Sequence, residues 1–408
     1  MLRFLVSLLA GGLVIGGAWY GWTRSADIDA AMESAADRAG APTPTSQRTP
    51  PSPTPNATAL STRGTEPGRP CDLPSPTDAA GMNTLMTQLD GEPRLQGADH
   101  GGSVMLADGR RLFVYGDTVR DTDVVGPFMV RNSVLVANGG CLKAMRVEGD
   151  GAVIPDTGDL GHWPMSLRAD PVPGGTRVQV LTATVHDLGG RDFETIGTGL
   201  ATFEVPTNRM PRLVSHRAVT ARSTDPRVPT WGAAMWDEGP WTYVFGTASD
   251  EGKTTAGWSL HVARTPTGSL ASARTWEYWD GSSWVAGDPA AAQTPAAQLV
   301  GADQGVSHVL GVFERDGSWF AVSKEGDFQG DQLAVWKAPS VTGPWTKHRV
   351  RPLGNDASTV RYTVLSHPDL TTPPGTVLVS WSEAPTSEPD FHTHPQRYRP
   401  RFAEIELP

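Results

Sequence analysis

The stretch Leu112-Phe113-Val114-Tyr115-Gly116-Asp117-Thr118 is an apolar run closed at once by small and acidic residues, and versions of it return four more times. They fall at residues 178–181, at 242–245 before Gly246-Thr247, at 319–322 and at 376–379. The spacing, about 57 to 77 residues, is the length of one four-stranded sheet with its loops, and such repeats read as a radial β-propeller. Five repeats predict an all-β chain with five blades. A shorter apolar run precedes each repeat across a turn: 103–106 before Asp108-Gly109, 165–167, 233–236, 308–313 before Asp316-Gly317, and 362–365. Asp-Gly is a strong hairpin signal, so each pair reads as the first and second strands of a blade.

In an antiparallel hairpin the start of the first strand and the end of the second share one end. The strand starts place Asp99, His162, Trp163, Trp231 and Asp303 at one mouth of the central funnel, and the strand ends place Asp117, Lys324, Glu325, Ser382 and Glu383 there. The loop after Asp117 returns to the same mouth with Arg131 and Asn132. Carboxylates gathered in a funnel mark a ligand site. An internal match sharpens this: Gly97-Ala98-Asp99-His100-Gly101-Gly102-Ser103 recurs as Gly301-Ala302-Asp303-Gln304-Gly305-Val306-Ser307, opening blades one and four. Two equivalent aspartates are thereby expected to face each other across the funnel, with turn capping by Asp before Gly as the alternative for each.

The amino terminus differs from the rest. Residues 4–22 run nineteen positions without a charge behind Arg3, long enough for one transmembrane helix, which makes residues 1–38 a signal anchor with its juxtamembrane segment. Export follows from this reading, and an uncleaved anchor is favoured over a cleaved leader because no small-x-small pattern follows Trp22. Residues 39–70 are rich in Pro, Thr and Ser and read as a disordered stalk, leaving 71–408 as the propeller domain. In an oxidising compartment Cys71 and Cys141, the only cysteines, are expected to pair. A formal charge of -10 argues against a nucleic-acid or anionic-membrane surface, since phosphate recognition rests on clustered Lys and Arg. Fourteen Trp suit sugar stacking, although most are expected in the blade cores.

Glycoside cleavage needs a proton donor at the leaving oxygen and a second carboxylate that attacks or activates water. Asp99, Asp303 and Asp117 are the candidate acids. Arg131 is placed to hold Asp117 ionised, and Asn132, Trp231, His308, Glu325 and His367 are candidates for holding the sugar. A satisfied structural histidine is the commoner role for His308 or His367. His392-Thr393-His394 has no third ligand at a recognisable spacing, so no metal and no cofactor are expected. No serine elbow, phosphate loop or dinucleotide fingerprint occurs, which takes support from acyl transfer, nucleotide and redox chemistry.

With these residues in place, the chain resembles a known family. The 97–101 segment, the 113–118 run with Gly-Asp-Thr, Arg131-Asn132-Ser133, Trp231-Gly232-Ala233-Ala234, Val262-Ala263-Arg264 before 276–279, Gly343-Pro344-Trp345 and Arg399-Pro400-Arg401-Phe402 resemble an actinobacterial family of extracytoplasmic five-bladed propellers. That family was long catalogued as a domain of unknown function and includes endo-acting D-arabinanases. The resemblance, covering about residues 71–408, implies a glycoside hydrolase whose acids come from blade one and a strand facing it, matching Asp99 and Asp303 with Asp117 as a third. One departure stands out: related propellers carry inner-strand acids where this chain has Trp163-Pro164-Met165-Ser166 in blade two and Ala233-Ala234 in blade three. The expectation is an extracytoplasmic, membrane-tethered hydrolase of envelope arabinan. The alternatives are a non-catalytic wall-binding or scaffolding propeller, and hydrolysis of a different glycan.

Overall fold

The computed structural model describes residues 73–189, 192–249, 257–303 and 305–408. The expected membrane helix at 4–22, the stalk at 39–70 and Cys71, hence its pairing with Cys141, lie outside the described residues. Among those described, no helix is long and apolar enough to cross a membrane.

The strands form five antiparallel sheets that succeed one another along the chain, each a meander. Blade one comprises β1 (Gly97–Met105) and β2 (Arg111–Val119), a short β3 (Met129–Val130) paired to β2, then β4 (Ser133–Asn138) and β5 (Cys141–Ala144). Blade two comprises β6 (Leu160–Val172), β7 (Gly175–Gly189), β8 (Asp192–Pro206) and β9 (Arg212–Ala218). Blade three comprises β10 (Thr230–Glu238), β11 (Trp241–Ala248), β12 (Ser259–Pro266), β13 (Glu277–Trp279) and β14 (Trp284–Ala286). Blade four comprises β15 (Gly311–Arg315), β16 (Ser318–Glu325), β17 (Gln332–Ala338) and β18 (Thr346–Pro352), and blade five β19 (Thr359–Ser366), β20 (Thr376–Pro385) and β21 (Arg401–Glu406). The first strands β1, β6, β10, β15 and β19 each touch the next, and β19 returns to β1. The ring is a closed five-bladed β-propeller.

All five recurrent runs are second strands, and their apolar character has one cause. Side chains on a strand alternate between faces, and both faces of a blade are covered by neighbouring blades. Leu112 and Val114 pack with Val178 and Phe203 of blade two, whereas Phe113 and Tyr115 pack with Leu378 and Phe402 of blade five. Likewise Trp319 and Ala321 face Phe245 and Val262 of blade three, and Phe320 and Val322 face Val377 and Val379 of blade five. Each such side chain contributes roughly 1.5–3 kcal/mol of burial. The Asp316-Gly317 turn behaves as read: both residues adopt left-handed backbone, φ 53° and 75°, and Arg315 pairs with Ser318 across them. A two-residue turn of this hand matches the strand twist.

Among the described residues blade five has three strands, and a helix that the sequence reading did not anticipate covers its edge. α1 (Ala79–Thr87) is capped by Asp78, whose carboxylate accepts from Gly81 N at 2.7 Å, and it packs along β21. The Asn83 amide stands in for the missing fourth strand. Its Nδ2 donates to Phe402 O at 2.9 Å and its Oδ1 accepts from Phe402 N at 3.0 Å. Met82, Leu85 and Met86, on one helical face, fill the seam between blades five and one.

Candidate active site

At the mouth where the first strands begin, the β1–β2 ladder pairs Ala98 with Thr118 and then shifts register on either side of His100, whose φ is 67°. A bulge of this kind re-aims a side chain, and here the shift falls at Asp99. Its carboxylate sits against Gly116, where an added Cβ would lie 2.3 Å from Asp99 Oδ1. The glycine of Gly-Asp-Thr is therefore a space requirement. Asp99 Oδ2 accepts from the Tyr362 hydroxyl at 2.9 Å, and the Tyr398 hydroxyl and the Asp117 backbone N–H also donate to the carboxylate. Asp117 Oδ1 accepts from Trp163 Nε1 at 3.0 Å. Arg131 lies within electrostatic reach of Asp117 and pairs with Asp156 at 3.5 Å.

These surroundings treat the two acids differently. Burial is the largest influence on Asp99 and pushes its pKa up, against the pull of Tyr362, Tyr398, His308 and the Asp117 amide. Asp117 is pushed well above the ordinary carboxylate range, by burial first and then by the Asp99 charge, which outweigh Trp163 and Arg131. Carboxyls this closely coupled share protons as a pair, and the better-solvated member ionises first. Asp99, with its several donors, is the anion of the pair, and Asp117 is the acid that keeps its proton. Burial and the Asp99 charge hold Tyr362 and Tyr398 well above the ordinary tyrosine range, so both remain O–H donors.

A second wall comes from blade four and its neighbours. His308 Nδ1 lies 3.0 Å from Asp327 Oδ2, an oxygen that also accepts from Trp258 Nε1 at 2.7 Å. Phe328 stacks on His308 with ring centroids 5.5 Å apart and lies 4.9 Å from the Tyr362 ring. The site thus joins two carboxyls, two tyrosine hydroxyls, an aspartate-bound imidazole and several aromatic faces. Paired acids with opposed protonation can perform acid–base chemistry, and aromatic faces beside them can stack sugar rings.

Residues 82–406 match a family model described as a domain of unknown function, DUF5005. The chain belongs to the DUF5005 family. No curated protein matches it in sequence. Among solved structures, a provisionally named hydrolase from Bacteroides ovatus aligns with a TM-score of 0.62 at 19% identity, covering 80% of this chain and 89% of its own. The RS223 β-xylosidase gives 0.44 at 11% identity over 79% and 97%, and the Xanthomonas citri GH43_1 enzyme complexed with xylose gives 0.44 at 13% over 80% and 96%. At these identities the likeness is one of fold.

The DUF5005 structure brings Asp99, Asp117, Arg131 and His308 together and sets the other expected residues elsewhere. Asp303 is exposed on a turn ahead of β15, outside the Asp99 cluster. In the second copy of the repeat, Gly305 N bonds Ala302 O and Val306 bridges Trp258, so the segment closes as a turn where the first copy runs as strand β1. Asn132 is committed to backbone: Nδ2 donates to Ile154 O at 3.0 Å and His162 O at 2.9 Å, and Oδ1 accepts from Ile154 N at 2.7 Å. Trp231 is wholly buried with Leu181, Leu200 and Val244 between blades two and three, so it offers no face to a sugar. Glu325 is neutralised within its own blade by Lys347 at 2.8 Å and by both Nε and Nη2 of Arg349, which hold its carboxyl low. His367 is buried between Ser103 Oγ at 3.1 Å and Ser380 Oγ at 2.9 Å, and burial pushes it down to about 3, so it is a neutral core residue.

Tyr362, Tyr398, Asp327, Trp258 and Phe328 were not among the expected site residues. Tyr362 carried a usable signal, being at the start of a predicted first strand, the position Asp99 holds in blade one. Tyr398 and Asp327 lie in irregular segments, and only the fold brings them in.

Proposed function

We propose that the protein is a glycoside hydrolase that cleaves arabinofuranosyl linkages in an envelope arabinan. The observation that carries this reading is the Asp99–Asp117 pair, two half-buried carboxyls on neighbouring strands, one ringed by donors and the other driven to keep its proton. Asp117 is then the general acid that protonates the leaving oxygen, and Asp99 the carboxylate that attacks the anomeric carbon or activates water. Tyr362 and Tyr398 hold Asp99 ionised and in place, and Arg131 bears on Asp117. Trp163, Phe328 and Trp258 provide the stacking faces. The arabinan substrate is supported by the motif resemblance, and the extracytoplasmic, membrane-tethered location by the apolar segment at 4–22. The structural likeness supports a sugar-active propeller only at the level of fold.

The test is the product profile from purified D-arabinan and a panel of other envelope polysaccharides, with Asp99→Asn and Asp117→Asn alongside. Each variant should lose at least about a hundredfold in turnover, the scale of a missing general acid or base. Glycan binding without any product from the unaltered protein would instead establish a wall-binding propeller.

A further inference from the structure

Within electrostatic reach of Asp99, the fold builds a second ionisable unit with no part in the reaction as described so far. Asp327 follows Gly326, and both adopt left-handed backbone, φ 52° and 75°. The carboxylate they place is 1% exposed. One of its oxygens serves both Trp258 Nε1 and His308 Nδ1, while the other, Oδ1, is buried with no partner among the described residues. Burying a carboxylate that incompletely bonded costs several kcal/mol. Removal from water is compensated in one direction only, toward His308 and Trp258.

His308 differs from its surroundings in being about one third exposed. Its ring is fixed on three sides: Phe328 stacks at 12° to it, Trp258 leans on it with centroids 6.2 Å apart, and Asp327 holds Nδ1. Among the described residues only Nδ1 of this ring has a hydrogen-bond partner, which leaves Nε2, and the side chain lies within electrostatic reach of Asp99. With Nδ1 committed, a ligand can engage this imidazole only through Nε2.

We propose that Asp327 and His308 form a positioning dyad, in which the carboxylate fixes the imidazole so that Nε2 hydrogen-bonds a sugar hydroxyl opposite Asp99 and Asp117. His308 is the substrate contact and Asp327 its positioning residue, and the proposal rests on the hydrolase reading above. The charged and titratable neighbours are Asp327 from the turn, Asp99 and His100 from β1, and Lys324 near Asp327. Burial opposes the His308 imidazolium, but Asp327 and Asp99 together raise its pKa above the ordinary value. Burial pushes His100 down to about 3, so it is neutral beside them. Below the His308 pKa, Nε2 is a donor and a positive charge faces Asp99. Above it, Nε2 becomes an acceptor and that charge is gone.

The experiment titrates the His308 Cε1 proton by NMR in the purified full-length protein, assigned with His308→Gln, and measures affinity for an arabinan oligosaccharide at pH 6 and 8.5. The expected midpoint lies above 6.5 and falls in Asp327→Asn. His308→Gln should raise KM about tenfold with a smaller change in kcat, and affinity should weaken over the pH range in which the imidazole titrates. Trp258→Phe keeps the carboxylate while removing its other donor, so it tests the same link should Asp327→Asn fail to fold, and it should raise the midpoint. A midpoint at or below 6.5, a midpoint unmoved in both variants, or unchanged oligosaccharide affinity in His308→Gln overturns the dyad. Binding that depends on His308 in a protein that never cleaves refutes the hydrolase reading and leaves the dyad standing.

Discussion

Gly116→Ala separates the position of the Asp99 carboxylate from its charge, because it changes neither acid. The added Cβ would stand 2.3 Å from Asp99 Oδ1 and 3.4 Å from its Cγ. Ordinary contact begins near the second distance, so the carboxylate must retreat by about 1 Å, the scale of misplacement that costs roughly a hundredfold in rate. Retreat also strains the 2.9 Å bond from Tyr362. Gly116 is not in the left-handed region, and alanine suits a strand better than glycine, so the fold should survive. The assay is kcat on arabinan together with a thermal melt. The expected result is a loss of about a hundredfold at nearly wild-type melting temperature. Activity within threefold of wild type would show that Asp99 does not need the place the structure gives it, and the acid-pair mechanism would fall. A variant that melts far lower would place the conflict in the β1–β2 ladder, so Gly116→Ser, with a similar clash and a polar tip, should be inactive whenever it folds.

Two further outcomes follow from the same contacts. Asn83→Ala removes both hydrogen bonds that close blade five at Phe402; at about 1 kcal/mol each the loss is about 2 kcal/mol. A melting temperature lowered by about 3 °C is expected for a domain of this size, and an unchanged melt would show that α1 is not part of the ring closure. Asp117→Asn should stabilise the protein at pH 7. A carboxyl whose folded pKa is raised favours folding only below its unfolded value of about 3.8, and that contribution is lost as pH rises through the folded pKa. The neutral amide escapes this loss, so the variant should be more stable at pH 7 by about 1–2 kcal/mol, the size of gain common at strained active sites. The difference should vanish near pH 3, and equal stability at both pH values would contradict a desolvated, charge-burdened Asp117.

The propeller was legible in the sequence because its cause is local. A strand covered on both faces must be apolar at consecutive positions, as in Leu112 to Tyr115, and this signal survives without knowledge of the neighbours. The closing helix left a signal too, Asp78 ahead of Met82, Leu85 and Met86, but a single helix beside five repeats carries no periodic reinforcement. First strands were harder to place. β15 begins at Gly311, so His308 stands ahead of the strand, and this position lets the 327–329 turn reach its ring.

The site was only partly legible, and Asp303 shows why. Its seven-residue context nearly repeats that of Asp99, yet one aspartate is half-buried beside Tyr362 and the other is exposed. The sequence around Asp99 supplies the bulge, but burial comes from partners far along the chain: Gly116 on β2, Tyr362 on β19 and Tyr398 before β21. Asp303 is given no such partners among the described residues, and the same local pattern yields an exposed turn. Glu325 fails for the opposite reason, since its blade supplies Lys347 and Arg349 and leaves no charge for a ligand. A carboxylate at a propeller mouth becomes chemically useful when burial raises its pKa and a few donors hold it without neutralising it. Asp99 and Asp117 meet both conditions, and the aromatic residues that bury them, Tyr362, Tyr398 and Trp163, are the same groups that supply the donors.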